Sequence, residues 1–138
     1  MSFDKRIVID TGTLVSAALR VDSTPGQAYA KALGEFEVCV SAATFAELDR
    51  VMRREKFNAY RTLDDRLAFV ELYREKSAWH DVKAAVFDCR DPEDNKFLEL
   101  ALAAEAEIIV SSDPDLQILH PYRAIAILKP AEFLHMAP

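Results

Sequence analysis

Cysteine is scarce in this chain. Cys39 and Cys89 are the only two, and no C-x-x-C spacing accompanies them, so neither a disulfide framework nor a thiolate metal site is indicated. Long apolar runs and a leader-like opening segment are also missing, and the expectation is a reduced, cytoplasmic protein with no membrane association. Positive charge is in deficit: 17 Lys and Arg stand against 23 Asp and Glu, a formal net charge of −6. That excludes a protein holding nucleic acid by bulk positive charge, and a phosphate-bearing substrate would need cations recruited locally. His80, His120 and His135 are scattered, without metal-ligand spacing. Low-complexity tracts and linkers are absent. What is present is ordinary: 51% hydrophobic and 29% charged residues support one globular domain over residues 1–138.

Along the chain, strand-like and helix-period segments alternate. Strand signals fall at Ile7–Asp10, Glu37–Val40, about Ala84–Phe87, Ile108–Val110 and Ala124–Leu128. This alternation predicts an α/β fold with a mostly parallel central sheet flanked by helices. Between the second and third strands there is room for two helices, Ser41 to about Lys56 and Thr62 to about Trp79, with Ser41 and Thr62 as N-caps. Ser23-Thr24-Pro25-Gly26 marks a loop or helix start.

Four acids fall at related places on these elements. Asp10 follows the β-branched run Ile7-Val8-Ile9, where a buried strand surfaces; capping the next helix would by itself explain it. Asp113 follows Ile108-Ile109-Val110 in the same way. Asp94 lies in the first turn of a helix opened by Asp91 as N-cap and Pro92, yet it shares a face with Phe97, Leu98 and Ala101. A capping acid has no need to face the apolar stripe. Glu47 lies at the edge of the stripe formed by Phe45, Leu48, Val51 and Met52, early in its helix. In open α/β sheets, sites form beyond the carboxyl ends of the strands where strand order reverses. A sheet of order 3-2-1-4-5 puts Asp10 beside Asp113 there, with Glu47 and Asp94 on flanking helices. Clustered carboxylates oppose one another's ionisation, and a divalent cation relieves that. Oxygen donors without His or Cys suit Mg²⁺ or Mn²⁺.

The segments Val8-Ile9-Asp10-Thr11 with Leu14-Val15-Ser16-Ala17, Ser41 through Glu47-Leu48, Arg90-Asp91-Pro92-Glu93-Asp94-Asn95-Lys96-Phe97-Leu98, Ile109-Val110-Ser111-Ser112-Asp113-Pro114-Asp115 and Ile127-Leu128-Lys129-Pro130 together resemble PIN-domain ribonucleases of the toxin–antitoxin branch. They occur in family order over nearly the whole chain. The resemblance implies a sheet of order 3-2-1-4-5 and metal-dependent cleavage of RNA by Asp10, Glu47, Asp94 and Asp113. It also implies a homodimer and a small antitoxin protein as partner. Where the family usually carries Asn two residues after the first Asp, this chain has Gly12.

Around the four acids, Thr11, Thr13, Ser111 and Ser112 are candidates for orienting water or metal, and Asp91 and Asp115 for auxiliary ligands. For substrate grip the nearest basic run is Arg50, Arg53, Arg54, Lys56 and Arg61, with Arg53 and Arg54 as the favoured phosphate contacts. Other readings share parts of the pattern. A Mg²⁺-binding receiver module fits the length and the Lys129-Pro130 ending but requires an acidic pair after the first strand, where this chain has Ile9-Asp10. A haloacid-dehalogenase-type phosphatase matches Asp10-Thr11-Gly12-Thr13-Leu14 but lacks its second Asp. A catalytically silent PIN-like binding domain is the remaining alternative.

Overall fold

The structure, a computed structural model, describes residues 4–137. Its frame is a sheet of five parallel strands: β1 (Arg6–Ile9), β2 (Glu37–Val40), β3 (Ala78–Trp79), β4 (Ile108–Val110) and β5 (Ala126–Leu128), in the order β3-β2-β1-β4-β5. Between and after them lie helices α1 (Thr11–Leu19), α2 (Thr24–Glu35), α3 (Ala42–Met52), α4 (Leu63–Lys76), α5 (Asn95–Ala104), α6 (Pro114–Gln117) and α7 (Pro130–Leu134).

The β-branched runs explain how the sheet is covered on both faces. Successive strand residues point to opposite sides, so Ile7 and Ile9 join Val38, Val40, Ile108 and Val110 in one core, against α1 to α4 and α7. Val8 joins Cys39, Ile109 and Ile127 in the other, against α5 and α6. Both faces are thus removed from water, as parallel sheets require. Side-chain caps start three of the helices: Asp10 for α1, Ser41 for α3 and Thr62 for α4, the last two at the expected residues. At the start of α2, which Ser23 caps, a Cβ on Gly26 would lie 2.3 Å from the Val21 carbonyl oxygen, so only glycine fits this close approach.

Several boundaries differ from those read in the sequence. The third strand is Ala78–Trp79, not Ala84–Phe87. Residues 84–87 form no ladder: the Val86 amide bonds the Glu99 carboxylate, and Phe87 is 86% exposed. The preceding helix accordingly stops at Lys76 rather than Trp79. The helix from Ser41 stops at Met52 rather than Lys56, where the buried Arg66 collects carbonyls of the ensuing turn. The last strand begins at Ala126 rather than Ala124, because Arg123 and Ala124 adopt positive φ in the turn before it.

Candidate active site

Each of the four acids is positioned by a strand end or a helix start. Asp10 leaves β1 and caps α1, its Oδ1 accepting the Thr13 amide at 2.9 Å. Its Oδ2 accepts the Ser111 hydroxyl at 2.5 Å, and the residue is only 4% exposed. Burial raises its pKa, the Ser111 and Thr13 bonds pull it back, and the nearby Asp113 adds to the rise. Asp113 leaves β4 and caps α6 by accepting the Asp115 amide at 2.9 Å. Ser111 joins the two, since its oxygen also accepts the Asp113 amide at 2.9 Å. Capping is therefore a real role of Asp10 and Asp113, combined with a carboxylate edge left facing the same cavity.

Glu47 on α3 is fixed by two donors. The Thr11 hydroxyl reaches Oε1 at 2.6 Å and the Lys96 ammonium reaches Oε2 at 2.7 Å. Burial works to raise the Glu47 pKa, but the bonds from Lys96 and Thr11, with the charges of Lys96 and Arg50, outweigh it and hold the carboxylate below its usual range. Asp94 has no such help. Asp91 caps a 3-10 turn at Pro92–Asp94, accepting the Glu93 amide at 3.0 Å, and α5 starts directly after it. Asp94 occupies the cap position of α5, yet its side chain caps nothing. Its Oδ2 is buried without any hydrogen-bond partner. Burial, then the adjacent Asp113 carboxyl, then Asp91 and Asp10, push its pKa up to about 8.

Asp10, Glu47, Asp94 and Asp113 line one cavity of about 320 Å³, with Thr11, Gly12 and Ser112 at its wall. It lies beyond the carboxyl ends of β1 and β4, the neighbouring central strands. What this cavity lacks is positive charge: an orphaned, buried carboxylate oxygen faces other carboxylates, and Lys96 is committed to Glu47. A hard cation meets that deficit, so the residues present fit a divalent metal. Asp91, Asp94 and Asp115 form a second acidic group around Asp94, their oxygens within 4.8 Å of one another. Arg90 already pairs with Asp115 there, at 2.8 Å.

The remaining candidates are distributed differently. Thr11 serves Glu47, Ser111 serves Asp10, and the Thr13 and Ser112 hydroxyls lie 3.3 Å apart. Arg53 and Arg54 sit past the far end of α3, outside the wall of the cavity, with Arg53 paired to Asp49 at 3.2 Å. Arg50 is the member of the basic run whose charge reaches Glu47. Lys96 is a site residue that stands outside the expectations above, although a cation two residues after Asp94 in an acidic segment is a usable signal for it.

Comparison with known families finds the PIN domain, matched over residues 6–115. The chain belongs to the PIN-domain family. Solved structures with this fold include VapBC2 from Rickettsia felis bound to a DNA fragment from their promoter, at 10% identity and a TM-score of 0.62 over 90% of this chain and 98% of that one. PAE2754 from Pyrobaculum aerophilum is similar at 12% identity and a TM-score of 0.63, over 94% of this chain and 88% of that one. At such identities the two likenesses speak for the fold. Comparison with curated proteins gives no match. PIN domains are generally nucleases, and the acidic residues of this one can hold a metal ion. No described helix is long and apolar enough to cross a membrane.

Proposed function

We propose that this PIN domain is a metal-dependent endoribonuclease, the toxin of a toxin–antitoxin pair, and that Asp10, Glu47, Asp94 and Asp113 are its catalytic and metal-holding residues. The observation that carries this reading is the buried, unpartnered Oδ2 of Asp94 in a cavity walled by the other three acids. Mg²⁺ or Mn²⁺ bound there supplies the positive charge that phosphodiester hydrolysis needs at the phosphoryl and leaving oxygens.

The protein's own groups do the rest. Ser111 and the Thr13 amide keep Asp10 in one rotamer, and Thr11 and Lys96 do the same for Glu47, so the carboxylates are arranged before substrate arrives. One carboxylate takes the proton of the attacking water as it adds to phosphorus. Asp91 and Asp115 assist at the edge of the cluster, and Arg53 and Arg54 take RNA phosphates further from the scissile bond. A homodimer and a small antitoxin that covers the site complete the proposal, in the cytoplasm, and the likeness to VapBC2 favours such a pairing.

The test is a substrate panel in Mg²⁺ or Mn²⁺. Single-stranded RNA is cut, EDTA stops the cutting, and small phosphomonoesters turn over poorly. Rapid phosphomonoester turnover instead identifies a phosphatase, and stable uptake of phosphate from acetyl phosphate identifies a receiver. RNA left intact with either metal identifies a silent binding domain.

A further inference from the structure

A second cavity, of about 490 Å³, opens next to the acidic one and is larger than it. It lies beyond the carboxyl ends of β2 and β3, between the start of α3 and the outer side of α5, so both cavities occupy one edge of the sheet. Lys96 joins them: it lines the second cavity while its ammonium holds Glu47, which lines the first.

Trp79 is the feature of the second cavity that packing does not explain. It ends a two-residue strand and is 48% exposed, an unusual loss for the largest apolar side chain of the protein. It is nevertheless held still. Its indole N–H donates to the Arg74 carbonyl at 3.1 Å, and its ring leans on Phe45 with centroids 5.3 Å apart. A half-exposed aromatic plane, fixed at one edge, is what an unstacked base uses as a platform. The polar groups around it suit a base better than a phosphate. Exposed Asp81 and part-buried Glu99 repel phosphate but accept from the exocyclic amines and ring N–H groups of bases, and His80 adds a ring nitrogen. The phosphate of the same nucleotide leaves on the side toward the acids, past Lys96, whose ammonium is already held by Glu47.

We propose that this cavity holds one unpaired base of a single-stranded RNA, stacked on Trp79, with the chain continuing past Lys96 into the acidic cavity. The inference rests on the nuclease reading for what happens next door, but base stacking needs no metal and can be measured without cleavage. Trp79 is the only tryptophan in the sequence, so intrinsic fluorescence reports on this residue alone.

The probe is a short single-stranded oligoadenylate RNA, added to the full chain in EDTA so that nothing is cut. Saturable quenching is expected with the RNA, and none with inorganic phosphate or an abasic oligonucleotide of equal length. By the anisotropy of a labelled oligoadenylate, Trp79→Ala weakens binding about tenfold, the loss of one stacked base, while Trp79→Phe, which keeps the contact with Phe45, retains most of the affinity. Equal quenching by the abasic strand, no quenching by RNA, or unchanged affinity in a folded Trp79→Ala variant each overturns the base site. Cleavage with Mg²⁺ and unaltered Trp79→Ala binding leaves the nuclease reading standing and removes this one. Quenching and weakened Trp79→Ala binding without any cleavage do the reverse.

Discussion

Asp94 and Asp10 show how one residue type carries two burdens. Asp10 caps α1 and faces the acids, whereas Asp94 caps nothing and is costly to ionise. Asn caps about as well as Asp, so Asp10→Asn keeps its helix start, and Asp94→Asn removes an acid that is costly to ionise while keeping its shape. Both variants are expected to melt no lower than the parent without metal and to lose most of the Mg²⁺ stabilisation, which in the parent reaches about 2.7 kcal/mol at ~100 times the dissociation constant. Lower melting with an intact Mg²⁺ shift would make both aspartates purely structural. The pH dependence follows from the same carboxyl. With a pKa raised from 3.8 to about 8, folded Asp94 keeps a proton that the unfolded chain has released. Its contribution is therefore fully present below pH 3.8 and lost as pH rises to about 8. Urea unfolding of the metal-free protein should show stability declining through that window, with a shallower decline in Asp94→Asn and in the parent with Mg²⁺; a parallel decline in the variant refutes the assignment. Gly12 is a third residue-scale case. A Cβ there meets nothing within 4 Å, and its φ is not positive, so the backbone does not demand glycine. Gly12→Ala should stabilise by about 0.4–1 kcal/mol. Gly12→Asn should also raise RNA cleavage by placing an amide at the wall of the acidic cavity; a fall in rate means the gap itself admits substrate.

At the scale of elements, what was readable depended on how much each sequence segment had to do with its neighbours. β1 and β4 are continuous β-branched runs buried on both faces, and they were legible. β3 was not. Its two residues, Ala78 and Trp79, have no alternation to display and are a strand only because Cys39 and Val40 pair with them. The acids were legible because they stand at strand ends and on an apolar stripe, whereas the Lys96–Glu47 pair joins residues 49 apart in sequence and needed the packing of α5 near α3. Arg66 was equally hidden. It is 1% exposed, and its guanidinium bonds the carbonyls of Met52, Arg54 and Arg61 and the Asn58 side chain, closing the end of α3 and the turn into α4. Arg66→Met fills similar space but leaves those buried carbonyls without donors, and a loss of about 2–4 kcal/mol is expected in chemical unfolding. A loss below about 0.5 kcal/mol would show that water replaces the guanidinium at no cost.

For the whole molecule, strand order decides which acids meet. The order β3-β2-β1-β4-β5 brings Asp10 and Asp113, 103 residues apart, to adjacent strand ends. The connections through α3 and α5 then bring Glu47 and Asp94 over the same opening. On the nuclease reading, a net charge of −6 makes the surface poor at gathering RNA and would place the demand for positive charge on a bound cation and a few side chains. The most direct measurement is therefore the rate at which a single-stranded RNA is cut in Mn²⁺ by the parent, by Asp94→Asn and by Asp64→Asn, the last altering an exposed acid in the first turn of α4. Cutting by the parent and Asp64→Asn at equal rates, with at least a hundredfold loss (roughly 3 kcal/mol) in Asp94→Asn, is the predicted result. Equal rates in all three, or none in the parent, would contradict a catalytic acidic cluster.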